Sequence, residues 1–165
     1  MRQTSGMEPA RAPVLASTID LGEFQLLIHR RQFPDALDRW DGNWLQVTAH
    51  CARSGAIVAV DGPILEASDL ERFRDALATL ERTHAGVAEL TGAEPNIAVR
   101  VADSDGRGYL RVRVELSPDP QTHGHWFIYA IAPSSLPETI RQLDAALALF
   151  PVRGRTRADE TLDPA

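Results

Sequence analysis

Apolar and polar residues alternate on both sides of Asp105-Gly106: Ile97, Val99 and Val101 precede it, and Leu110, Val112 and Val114 follow. Period-two alternation around an Asp-Gly pair is a strong short-range hairpin signal. With the turn centred on Asp105-Gly106, Val101 faces Leu110, Val99 faces Val112 and Ile97 faces Val114, so one face of the ribbon is wholly apolar. Such a face must be covered by another layer, and this sets the chain among sheet proteins with a packed core. The same register places Arg100 opposite Arg111 on the other face, with Arg113 close by. Like charges across a ladder repel unless something intervenes. Glu89 and Glu115 are the acidic side chains at hand; otherwise Arg100, Arg111 and Arg113 form a candidate anion site.

Further strand patterns occupy residues 24–31, 44–51, 56–60, 87–91, 96–102, 109–116 and 126–132. Two stretches change to helical spacing. In residues 68–84 the apolar positions Leu70, Phe73, Leu77 and Leu80 fall on one face, Ser68 and Glu71 have capping-box spacing, and Gly86 supplies a stop. The second helix starts at Ser135, tolerates Pro137 in its first turn, and carries Leu136, Ile140, Leu143, Leu147 and Phe150 before Pro151. The expected order is βββαββββα. It predicts an α+β domain with a mostly antiparallel, curved sheet of six to seven strands and two helices packed on it, since no βαβ alternation supports a parallel sheet. Residues 1–20 and 152–165 lack periodicity and are expected to be flexible tails around a single domain, residues 21–151, without internal repeats.

With 165 residues and 44% hydrophobic content the chain can bury one core without metal or disulfide staples. The lone Cys51 has no intramolecular partner, and no secretory leader or membrane-spanning run is visible, so a cytoplasmic protein is expected. Every basic residue is arginine, which removes lysine chemistry such as Schiff bases and phosphate-loop cations. A formal charge of −6 opposes non-specific nucleic-acid binding and suits a basic protein partner.

Residues 33–45 concentrate two of the three tryptophans, Trp40 and Trp44, with Asp35, Asp38 and Asp41. Asp41-Gly42-Asn43 reads as a turn into a strand, so Trp44 and Leu45 take opposite faces. One tryptophan is then expected in the core, and the other is free to anchor a partner. Asp35, Asp38, Trp40 and Asp41 are the candidate partner-binding residues. The enzymatic alternative is a small hydrolase using these aspartates with His123 and His125. Those two histidines are two apart, as a strand-borne metal pair requires, but further ligands are missing, and a turn role is favoured. No catalytic, metal or cofactor motif is present, so no cofactor is expected.

Phe33-Pro34-Asp35, then Trp40-Asp41-Gly42-Asn43-Trp44-Leu45, the Leu-rich helix and the closing Phe150-Pro151 together resemble the WapI-type immunity proteins of bacterial polymorphic toxin systems. The resemblance spans residues 23–151. It implies a cytoplasmic, non-enzymatic protein that binds and neutralises a cognate toxin, commonly a nuclease.

Overall fold

The computed structural model describes residues 17–104 and 106–154. Eight strands form two antiparallel sheets. The first contains β1 (Ser17–Leu21), β2 (Phe24–Arg31), β3 (Trp44–Arg53) and β4 (Ala56–Glu66), and the second β5 (Val87–Thr91), β6 (Ile97–Asp103), β7 (Leu110–Asp119) and β8 (His123–Ile131). Helix α1 (Ala67–Thr83) links the sheets, and α2 (Leu136–Leu149) closes the chain after a 3-10 turn at Pro133–Ser135. The α+β class and the antiparallel pairing are as the sequence predicts, but the strands number eight and divide between two sheets instead of lining one.

The additional strand is β1, whose residues 17–20 belong to the sheet and not to a flexible tail. It escapes a periodicity search because only Ile19 and Leu21 are apolar. Residues 1–16 and 155–165 of the expected tails, and Asp105, lie outside the described residues. The β6–β7 ladder pairs Val101 with Val112, Val99 with Val114 and Ile97 with Leu116, two residues from the expected register. A shift of two preserves the faces, so the apolar side stays buried. The cause is the longer connection: the ladder stops at Asp103 and Leu110, leaving residues 104–109 outside it. The start of α1 also moves: Glu66 is the N-cap residue, and its N–H donates to Asp69 Oδ2 at 2.8 Å, so the box is formed by Glu66 and Asp69 and not by Ser68 and Glu71.

No repeat is visible in the sequence, yet the topology is ββββα twice. Buried positions match between the helices, with Leu70, Phe73, Leu77 and Leu80 spaced like Leu136, Thr139, Leu143 and Ala146. The halves interlock: α1 packs on β5, α2 packs on β1, and the helices pack on each other. The turn after each half's first strand also lies against the fourth strand of the other half. A Cβ on Gly22 would stand 2.8 Å from Tyr129 Cε2 and 2.9 Å from Ile131 Cγ2, and one on Gly92 only 2.3 Å from the Ile64 carbonyl oxygen. Tyr129 completes this junction. Its hydroxyl donates to the Leu21 carbonyl at 2.6 Å and accepts the Phe24 N–H at 3.1 Å, joining the β1–β2 turn to β8. Burial pushes that phenol well above its ordinary pKa, so it remains a neutral donor.

Candidate partner-binding site

Residues 32–43 connect β2 to β3, and their shape originates in a bulge. Phe24, Leu26 and Ile28 point inward, but the ladder slips between Ile28 and Arg30, and the phase change turns Arg31 inward in place of Arg30. Arg31 is only 6% exposed and donates to the carbonyls of Gly42 and Pro151. Burial, and then the neighbouring Arg153, lower its pKa below the ordinary guanidinium value. Two carbonyl acceptors make this burial tolerable.

Asn43, also buried, holds the segment after α2 from the other side. Its Oδ1 accepts the Arg153 N–H at 2.8 Å, while Nδ2 donates to the carbonyls of Arg153 at 3.0 Å and Arg39 at 3.1 Å. Residues 152–154, expected within a flexible tail, are thus fixed against the β2–β3 connection. The Asp41-Gly42-Asn43 turn anticipated in the sequence leads into β3, and its asparagine bonds Arg153, just beyond α2.

Outward, the connection displays Leu37 at 74% exposure and Trp40 at 72%, with Phe33 also exposed. The expected core tryptophan is not found: Leu45 takes the inward phase of β3, which leaves Trp44 half-buried on the outward one, and Trp40 lies outside. The Arg39 guanidinium sits 5.1 Å from the Trp40 ring centroid. Asp38 Oδ1 accepts the N–H groups of Trp40 and Asp41, both at 2.8 Å, and these bonds hold its carboxyl below the usual carboxylate range. All three aspartates are exposed, and Asp38 also shapes the turn. A cleft of about 250 Å³ adjoins the loop, between Arg39, Arg153 and the start of α1 at Glu66 and Ser68.

The other candidate residues lie elsewhere. Arg100 pairs directly with Arg113, not Arg111, on the outer face of the second sheet. Glu89 forms an ion pair with Arg100, and Glu115 lies 2.7 Å from Arg113, so carboxylates already neutralise two of the three guanidiniums. Arg113 also lies over Trp126, which is 63% exposed. His123 and His125 meet edge to face at 5.4 Å at the beginning of β8. Among the described residues no hydrogen bond or ion pair joins them to Asp35, Asp38 or Asp41, and no three His, Cys, Asp or Glu side chains converge as a metal set. Cys51 is buried, and its thiol is pushed up to about 11 by burial and then by Glu23. Among the described residues no helix is long and apolar enough to cross a membrane.

Sequence reasoning missed Arg31, Asn43 and Arg153. The bulge that turns Arg31 inward leaves no mark in composition, and the bonds between Asn43 and Arg153 span 110 positions. The only available signal was the Asp-Gly-Asn turn itself.

A search of curated proteins returns no match. The model of the immunity protein WapI-like family matches residues 16–151, from β1 through α2 to Pro151. That span contains both sheets, both helices and the whole displayed loop, and the chain belongs to the WapI-like immunity protein family.

Proposed function

We propose that this protein neutralises a cognate bacterial toxin by direct binding in the cytoplasm, without chemistry of its own, and that the β2–β3 connection is part of the contact surface. The observation that carries the reading is the two-sidedness of that connection. Its backbone is tied inward through Arg31, Asn43 and Arg153, while Leu37 and Trp40 are spread outward beside Asp35 and Asp41. A large aromatic side chain held in solvent by a fixed backbone is the usual form of an interface anchor. Exposed carboxylates around it suit a basic partner surface, such as that of a nuclease toxin, by steering encounter and matching charge. Family membership supports the partner class.

The test is capture from a lysate of the encoding bacterium on immobilised protein, followed by growth assays with the captured toxin fragment. Wild-type protein should retain a toxin fragment and restore growth. Trp40→Ala should weaken binding by about 2 kcal/mol, and Asp35→Arg with Asp41→Arg should slow association most strongly at low salt. A captured toxin bound as well by both variants as by the wild type would remove this loop from the interface. Protection without any binding would remove the mechanism.

A further inference from the structure

Four carbonyls of the displayed loop are occupied from the inside. Arg153 Nη1 donates to Pro34 at 2.8 Å and Ala36 at 2.7 Å, Asn43 Nδ2 donates to Arg39 at 3.1 Å, and Arg31 donates to Gly42. Two of these side chains are themselves attached to the segment that follows α2, Arg31 through Pro151 and Asn43 through both backbone groups of Arg153. Contact there is close: a Cβ on Gly154, whose φ is +70°, would stand 2.4 Å from the Arg39 nitrogen. The loop has no strand or helix of its own, and its large apolar side chains face solvent, so hydrogen bonding and not packing fixes its shape.

We infer that residues 151–154 are a strap that pre-shapes the binding loop, with Arg153 and Asn43 as positioning residues that act on a partner only through it. The inference rests on the loop being a contact surface, as proposed above. A loop held in its bound form avoids an ordering cost on association, and apparent affinity falls in proportion to the fraction of molecules in the competent shape. Removing the Arg153 guanidinium releases two carbonyls at once but leaves Trp40 and the aspartates in place. The core is untouched, because both carbonyls lie in the exposed connection.

Amide hydrogen exchange on the full chain, without partner, tests the strap. The N–H groups of Ala36, Trp40 and Asp41 report the loop through bonds to Phe33 and Asp38, and that of Phe24 reports the core through Tyr129. Arg153→Ala should accelerate exchange at the first three by about tenfold or more with Phe24 unchanged, and Arg153→Lys should fall between. Unchanged loop exchange overturns the inference. If Arg153→Ala loosens the whole molecule, Gly154→Ala, which displaces the strap from Arg39 and keeps the guanidinium, decides: loop-confined acceleration supports the strap and global acceleration overturns it. Binding to the captured toxin fragment separates the two ideas. With the loop released, Arg153→Ala should lose about tenfold in affinity. Wild-type affinity in Trp40→Ala, alongside accelerated exchange in Arg153→Ala, leaves the strap standing and removes the loop from the interface.

Discussion

The two ββββα halves share topology, helix burial pattern and interlocking turns, and they differ in the connection between second and third strands. In the second half residues 104–109 close the β6–β7 hairpin, whereas in the first half residues 32–43 form a longer connection. The additional length adds little to the core, since Leu37, Trp40 and Phe33 remain exposed. Three polar side chains hold it, where a passive connection needs none. What the halves share therefore sets the fold, and what the first half adds alone is the surface proposed to meet a partner.

The largest effects are expected where the halves are alike. Gly22 and Gly92 occupy matching turns, so Gly22→Ala and Gly92→Ala should each cost about 3 kcal/mol, read by denaturant unfolding. At Gly22, φ of +65° adds backbone strain to the crowding by Tyr129 and Ile131. Tolerance of either substitution would show that the turns are matched in path but not in role.

A smaller effect probes a one-sided feature. Tyr129→Phe strips the Leu21 carbonyl and the Phe24 N–H of their shared hydroxyl, and a loss of about 2 kcal/mol is expected. The measurement is again equilibrium unfolding, with a single cooperative transition retained. Two separated transitions would mean that the halves are independent units joined loosely at this point.

The smallest effect concerns how the helices begin. Glu66 and Asp69 cap α1, whereas α2 starts from a 3-10 turn and makes no side-chain cap bond. Burial raises the Asp69 pKa above its ordinary value, even though the Glu66 N–H and Arg72 pull it the other way. The folded state then holds that proton more tightly than the unfolded chain does. Its contribution is fully present below the ordinary 3.8 and is lost as pH rises through the folded-state value. Asp69→Asn keeps an acceptor without the buried charge and should match the wild type within about 0.5 kcal/mol at pH 7, while Asp69→Ala should lose about 1 kcal/mol. Wild-type stability relative to Asp69→Asn should rise on acidification; a fall would reverse the assigned sign.

Much of the architecture was legible because it is periodic. β2 and β5 have the bounds that alternation gives, and the α1 stripe is buried as read; of the α2 stripe Leu136 and Leu143 are buried, whereas Ile140, Leu147 and Phe150 are half-buried and Thr139 and Ala146 complete the inner face. β1 has too few apolar residues to register, and in β4 the pair Gly62-Pro63 reads as a break although the strand continues through it to Glu66. A proline is tolerated there because β4 is an edge strand. The site was legible in content but not in construction. Trp40 and the aspartates stand out by composition, and Trp40 is indeed displayed. The groups that hold them do not, since a bulge at His29 and an asparagine bonded to a residue near the chain end have no local period.

The Tyr129 hydroxyl reaches back 108 positions to the Leu21 carbonyl, and α2, later still, packs on β1. On the ribosome the first sheet emerges with its opening turn uncapped and one layer bare, and neither is supplied until most of the chain has been made. Contacts this distant in sequence make folding slow and late. The interlocked fold therefore belongs to copies already released and not to those in synthesis.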